Sequence, residues 1–135
     1  MNRFAACLLL ACALPAAGQQ GPNDVQVLTK YAGSWAVDCS KPAAARLTVS
    51  PQALALNGSG QQLRTAPPLA AFSYFGKMEP PAGFDVALLG EARPTGLTLL
   101  VLSDQSGPYL TVDADAPLQQ QFGKAALAGK FRRCP

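Results

Sequence analysis

Histidine is absent from this chain of 135 residues, and charged residues make up only 14% of it. Histidine is the commonest general base and metal ligand, so its absence excludes histidine-dependent triads and the usual zinc and haem sites. The sequence also contains no S-x-x-K or G-x-S-x-G motif and no phosphate-binding loop. We therefore predict a protein that is not an enzyme and that needs no cofactor and no metal ion.

The chain has no broad basic face, although its formal net charge is +3. Four cationic side chains lie within the last twelve positions, namely Lys124, Lys130, Arg132 and Arg133. Nucleic-acid binding needs basic residues clustered over a whole face, so we expect no nucleic-acid partner. The hydrophobic fraction of 49% is too high for a disordered chain, and the length suits one domain.

No apolar run is long enough to span a bilayer, which needs about 20 residues. The longest run, FAACLLLACAL at residues 4–14, follows Arg3 and precedes the small residues Ala16 to Gly18. This pattern predicts a signal peptide over residues 1–18 and a periplasmic or secreted domain over residues 19–135, without a transmembrane segment. An alternative is a lipoprotein, because the sequence around Cys12 resembles a lipobox.

Cysteine is scarce in the predicted mature chain, which retains only Cys39 and Cys134. An even pair in an exported protein predicts a disulfide bond. The bond would tie the first strand to the end of the chain and enclose nearly the whole domain. There is no C-x-x-C motif, so we expect no redox activity.

Hydrophobic alternation predicts an all-β domain with about eight short antiparallel strands. A short helix over residues 24–32, ended by Gly33, precedes them, and a second helix over residues 118–128 is weakened by Gly123. The clearest hairpin signal is the turn sequence at Asn57 to Gly60. The run Leu97–Leu102 is apolar on both faces, which indicates a central or covered strand. The pattern fits a small barrel or a sandwich and does not decide between them.

The segment Gly33-Ser34-Trp35 follows the predicted helix and opens the first strand. Here the chain resembles the calycin group, which comprises lipocalins and small bacterial metalloprotease inhibitors. The resemblance implies a barrel that Trp35 closes beneath an arginine, either Arg132 or Arg133. The runs Arg46-Leu47-Thr48 and Arg93 to Leu99 are similar to those of the inhibitors, and periplasmic lysozyme inhibitors are comparable in size and class.

The longest predicted loop follows an aromatic cluster and is stiffened by two prolines. Preorganisation lowers the cost of ordering a loop on binding. We therefore predict that this loop contacts a protein partner and that the protein inhibits a hydrolase, either a lysozyme or a protease. The candidate contact residues are Phe75, Lys77, Met78, Glu79, Pro80 and Pro81. The basic C-terminal residues would assist docking on an acidic partner.

Two other functions remain open at this point. The protein could carry a small apolar ligand inside a barrel, or it could be a structural component of the cell envelope. Residues that would line such a ligand cavity are Leu54, Phe72, Phe84, Leu99 and Tyr109. Either a monomer or a small homo-oligomer fits the sequence.

The pair Asp113 and Asp115 forms a D-x-D motif in a predicted turn. A calcium loop needs six or more oxygen ligands and a glycine, whereas Pro117 follows here. We therefore expect both carboxylates to be solvated.

Overall fold

A computed structural model describes residues 19–76 and 78–135 of the chain. These residues contain nine strands in two antiparallel sheets, together with three helices. The predicted all-β class, with a helix before the strands and helical residues near the C-terminus, is therefore confirmed. The predicted signal peptide, including Cys12, lies outside the described residues.

The first sheet consists of β1 (Gly33–Ala36), β2 (Arg46–Val49), β3 (Leu54–Gly58), β4 (Gln61–Arg64) and β9 (Arg132–Arg133). The strands lie in the order β4-β3-β2-β1-β9. Consecutive strands are thus neighbours, and the chain returns at its end to pair β9 with β1. In that pairing Trp35 lies opposite Arg133.

The second sheet consists of β5 (Leu69–Ala71), β6 (Phe84–Gly90), β7 (Leu97–Asp104) and β8 (Gly107–Asp113). It is a simple meander in chain order, and β7 lies in its interior. The long β7–β8 hairpin has Asp104 opposite Gly107 beside its turn. This arrangement confirms the central position that was predicted for Leu97–Leu102.

The two sheets are not closed into a barrel. A single bridge between Leu110 and Phe131 joins β8 to the residue before β9. On the other side the chain crosses between the sheets at Pro67 and Pro68, which have no backbone N–H to donate to a ladder. Of the two architectures that the sequence left open, the closed barrel is therefore wrong for the described residues.

Side chains from both sheets meet in one inner core. Trp35, Leu47 and Leu56 of the first sheet and Leu88 and Leu99 of the second are fully buried there. The second sheet also has an apolar outer face, on which four further side chains are buried, namely Ala87, Leu100, Leu102 and Tyr109. The strand β7 thus contributes leucines to both faces, and a loop rather than a helix covers the outer one.

The N-terminal helix α1 (Pro22–Lys30) begins and ends two residues earlier than the sequence predicted. Proline suits the first helical turn, and Asp24 accepts a hydrogen bond from the backbone N–H of Gly21. Gly33 opens β1 instead of ending the helix. The other carboxylate oxygen of Asp24 accepts a 2.8 Å bond from the N–H of Ala70 in β5, so α1 covers part of that sheet edge.

The predicted C-terminal helix is divided into α2 (Ala116–Phe122) and α3 (Lys124–Leu127), which Gly123 separates. Asp115 caps α2, because its carboxylate accepts a 3.0 Å bond from the N–H of Leu118. The Thr95 hydroxyl donates a 2.7 Å bond to the same carboxylate. The bond from Thr95 and then the bond from Leu118 lower the pKa of Asp115. The carboxylate is exposed to solvent, as expected, but it also caps the helix, which the sequence analysis did not predict.

The β3–β4 hairpin turns at Ser59 and Gly60, two residues later than an Asn57-Gly58 turn would place it. Both turn residues have positive φ, 51° and 69°, as a type I′ turn requires. Gly58 lies in β3 because Ala45 packs against it: a Cβ atom at this position would lie 3.2 Å from the Ala45 Cα. Gly58 therefore permits close packing against Ala45, and Ser59 and Gly60 form the turn.

Candidate functional site

The loop between β5 and β6, residues 72–83, lies over the outer face of the second sheet and is called the β5–β6 loop. Its Tyr74 ring packs edge-on against Phe84, with 5.5 Å between the ring centroids. Tyr74 and Phe84 are partly buried against the outer cluster of Ala87, Leu100, Leu102 and Tyr109. Tyr74 therefore fixes the loop to the sheet.

The apex of the β5–β6 loop has a tight backbone turn. Phe75 has a φ of 40° and Gly76 a φ of 71°, so two consecutive residues adopt the left-handed conformation. This conformation is uncommon for a phenylalanine. The ring of Phe75 contacts Tyr74, with 4.7 Å between centroids, which helps to hold the turn.

Large apolar side chains of this loop are exposed to solvent. The exposed fraction is 63% for Phe72, 49% for Phe75 and 63% for Met78, and Leu89 on the adjacent strand β6 is 36% exposed. Monomeric proteins rarely expose a contiguous large apolar patch, and such patches mark interaction sites. Phe75 and Leu89 line a common depression, so these two residues, with the exposed Phe72 and Met78 of the same loop, are the candidate contact residues.

The predicted contact residues are exposed where the structure describes them. These are Phe75, Met78, Glu79, Pro80 and Pro81, whereas Lys77 lies outside the described residues. The sequence analysis assigned Phe72 to a ligand cavity and did not select Leu89. The signal for Leu89 was the alternation along β6, which places it on the face opposite the buried Leu88.

Leu89 borders three surface depressions. The first, of about 190 Å³, lies between the β5–β6 loop and β6 and includes Tyr74, Phe75 and Ala87. The second, of about 390 Å³, is bounded by Ala66, Pro67, Leu69 and Glu91 together with Gln19 and Gln20. The third, of about 660 Å³, follows the β6–β7 connection and includes Glu91 and Arg93.

The N-terminal arm before α1 is held against the protein. The side-chain amide of Gln20 donates to the carbonyls of Pro51 and Pro68, at 2.8 and 2.9 Å. These bonds place the arm beside the 390 Å³ depression. The arm thus helps to shape the candidate surface.

The predicted disulfide is present between Cys39 and Cys134, with an S–S distance of 2.08 Å and a sequence separation of 95. The backbone N–H of Cys134 also donates a 2.7 Å bond to the Ser34 carbonyl. Together these contacts attach the end of the chain to the first strand.

An arginine stacks on the buried tryptophan, as the calycin resemblance implies. It is Arg133, whose guanidinium lies 4.8 Å from the Trp35 ring and donates to the Lys30 carbonyl. Gly33 is exposed beside this stack, and the side chain of Arg132 turns instead toward β8. Because the sheets are not closed into a barrel, the stack covers the Trp35 ring beside β9 and closes no barrel.

Most of the basic C-terminal residues are bound within the protein. Lys130 and Arg132 both contact the carboxylate of Asp104, at 2.8 and 2.5 Å. Both cations also lie over the Tyr109 ring, at 4.6 and 4.9 Å. The hydrogen bonds from Arg132 and then Lys130 hold the pKa of Asp104 well below its usual range. With Arg133 on Trp35, three of the four cations bind groups of the protein itself.

Tyr31 and Asp85 form a second polar contact, between the C-terminal end of α1 and β6. The Tyr31 hydroxyl donates to the Asp85 carboxylate. Burial of the Tyr31 ring raises the pKa of its hydroxyl, and the hydrogen bond to Asp85 raises it further. The contact fixes α1 against the second sheet.

The five residues proposed to line a ligand cavity are not brought together. Leu54 and Leu99 are fully buried in the inner core, whereas Tyr109 lies in the outer cluster. Phe84 packs at the margin of that cluster, and Phe72 is exposed. The structure therefore offers these residues no common cavity.

Within residues 19–76 and 78–135, no three cysteine or carboxylate side chains are grouped as metal ligands. None of the helices in the same residues has the length and apolarity needed to cross a membrane.

The resemblance to the calycin group stays a prediction, because it rests on short runs of sequence and on the stack of Arg133 upon Trp35. Comparisons with protein-family models, with curated proteins and with solved structures find no significant match to this chain.

Proposed function

We propose that this protein is an exported inhibitor that binds a hydrolase through its β5–β6 loop. The observation that supports the proposal is the exposure of Phe72, Phe75 and Met78 on a loop whose Tyr74 is packed against the sheet. Hydrolase active sites are concave, and a protruding apolar loop is complementary to such a cleft. The disulfide and the predicted signal peptide agree with export.

The loop is held at both ends, which favours tight binding. At its start Tyr74 packs on Phe84, and at its end the Gly83 carbonyl accepts a 2.9 Å bond from the N–H of Ser103. A Cβ atom at Gly83 would lie 2.2 Å from the Ser103 carbonyl oxygen, so only glycine permits this approach. Since the loop is fixed near both ends in the free protein, less conformational entropy is lost on binding.

The loop blocks its target as a plug and not as a substrate mimic. Proteases bind substrates in an extended backbone conformation, whereas Phe75 and Gly76 are left-handed. The contacts therefore come from side chains, and Phe75 with Met78 supplies the central apolar anchors. Three of the four C-terminal cations are bound by Asp104 and by the Trp35 stack, so docking depends mainly on the loop and less on charge attraction.

Inhibition assays with purified hydrolases test this proposal. Lysozymes, metalloproteases and serine proteases are each titrated with the mature protein. We expect stoichiometric inhibition of one class, and we expect Phe75→Ser combined with Met78→Ser to weaken it at least about tenfold.

The matched control is Val37→Ser, since Val37 is an exposed apolar residue outside the loop. This variant should inhibit as the unmodified protein does. Absence of inhibition across all three classes, or equal inhibition by the loop variant, would refute the proposal.

A further inference from the structure

The chain that remains after the predicted removal of residues 1–18 begins with Gln19. A glutamine in the first position has a free α-amino group and a side-chain carboxamide in the same residue. Attack of the amino nitrogen on the carboxamide carbon closes a five-membered lactam ring. An internal glutamine has a peptide nitrogen in place of the amino group, so Gln19 gains this reactivity only when the predicted cleavage exposes it.

The structure places Gln19 where this reaction has room. Gln19 is exposed and lies at the border of the 390 Å³ depression. The arm is anchored by the next residue, because the side-chain amide of Gln20 donates to the carbonyls of Pro51 and Pro68 at 2.8 and 2.9 Å. The first residue thus lies beyond the anchor, and its side chain can fold back toward the amino group without displacing packed atoms.

Charge at the start of α1 favours the cyclised form. An α-amino group is mostly protonated at neutral pH, and at Gln19 this cation would lie close to the helix N-terminus at Pro22, where the helix dipole opposes positive charge. Asp24 in the first helical turn already accepts bonds from two backbone N–H groups. Glu91 also borders the depression, but it is exposed, so its attraction for the amino group is screened. Cyclisation removes the terminal charge and with it this repulsion.

We propose that Gln19 is a modification site, at which the exported chain carries pyroglutamate. In the reaction the amino nitrogen of Gln19 forms a bond to Cδ of its own side chain, and the bond between Cδ and Nε2 breaks. The departing nitrogen takes up a proton from the amino group and leaves as ammonia, so the step consumes no oxidant and no second substrate. The product has a neutral N-terminus, which an aminopeptidase that needs a free amino group does not remove.

This modification rests on the export that the proposed function includes, and specifically on cleavage after Gly18. It does not depend on the β5–β6 loop or on the identity of any hydrolase. An inhibitor with a free N-terminus would contradict the modification alone, and a modified protein that inhibits nothing would contradict the inhibition alone. The two proposals can therefore fail separately.

Mass spectrometry of the protein that is exported by a cell expressing the full chain tests the modification. Trypsin cuts after Lys30, so the N-terminal peptide of the mature protein covers residues 19–30. We expect this peptide to be lighter than its unmodified sequence by the mass of one ammonia, and we expect its fragment ions to place the loss at Gln19. The exported protein should also keep its first residue during incubation with an aminopeptidase.

Two variants of the arm serve as matched controls. Gln19→Ala cannot form the lactam, so its N-terminal peptide should have the unmodified mass and its first residue should be lost to the aminopeptidase. Gln20→Ala removes the anchor but keeps the first residue, so it should be modified as the original protein is. An exported chain that begins at Gln19 with a free amino group, or that begins at another residue, overturns the proposal. A loss of ammonia that the fragment ions place at Asn23 overturns it equally.

Discussion

The two faces of the second sheet differ in how completely they are packed. On the inner face Leu99, Val101 and Leu110 are fully buried against the first sheet. On the outer face Leu100, Leu102 and Tyr109 are covered by Tyr74 of the β5–β6 loop, by Phe84 and, at Tyr109, by Lys130 and Arg132, while Leu89 on the same face is exposed. One sheet therefore has a face that is fully packed and a face that is only partly covered.

The difference has a physical origin in what covers each face. A sheet opposite another sheet buries side chains along the whole length of its strands. A loop covers only the area that its own side chains reach, which here is the area around Tyr74 and Phe84. Residues beyond that reach, such as Leu89, stay exposed to solvent.

Removal of the disulfide should cause the largest loss of unfolding free energy. It loosens a chain end that packs into the inner core. The bond fixes the chain end that carries Phe131, which is fully buried in the inner core. For Cys39→Ser combined with Cys134→Ser we expect a loss of as much as about 4.7 kcal/mol of unfolding free energy, since the closed loop spans close to 100 residues. Urea unfolding measures it. An unchanged midpoint would show that the other contacts of β9 suffice.

Truncation of two neighbouring leucines compares the faces directly. Leu99→Ala opens a cavity in the rigid inner core and should cost about 3 kcal/mol or more. Leu100→Ala opens space beneath a loop that can move inward, so we expect about 2 kcal/mol or less. Urea unfolding of both variants provides the comparison. Equal losses would show that the loop packs as firmly as a second sheet does.

Much of the fold could be predicted because its signals are local. The strands follow from the alternation of apolar and polar residues, and the disulfide follows from the single pair of cysteines in the predicted mature chain. The central position of β7 follows from the run Leu97–Leu102, which is apolar on both faces. The cover of the outer face could not be predicted, because it depends on where a loop of twelve residues folds back. For the same reason the sequence indicated a contact loop but gave no reason to select Leu89.

Two further outcomes depended on register, which the sequence does not specify. Either Arg132 or Arg133 could have stacked on Trp35, and the pairing of β9 with β1 assigns this position to Arg133. The hairpin register then brings Asp104 to Arg132 and Lys130. The sequence analysis treated these cations as a free basic patch because their acidic partner lies more than twenty residues away along the chain.

The smallest effect is expected for Asp104→Asn, which tests whether the cations that flank Phe131 help to hold the chain end at the margin of the outer face. The folded state lowers the pKa of Asp104, so its contribution to stability is present above the pKa of the unfolded chain, about 3.9, and is lost as the pH falls below that value. The melting temperature of the variant should therefore be slightly below that of the unmodified protein at pH 7, and the difference should shrink below about pH 4. It should also shrink at high salt, because these groups are partly exposed and their attraction is screened.

Asp113→Asn, at an exposed carboxylate on β8, is the control and should show neither dependence. If the difference for Asp104→Asn did not shrink at all below about pH 4 and persisted in high salt, the ion pairs would not be its cause, and the contacts of Lys130 and Arg132 with the Tyr109 ring would be the attachment that matters.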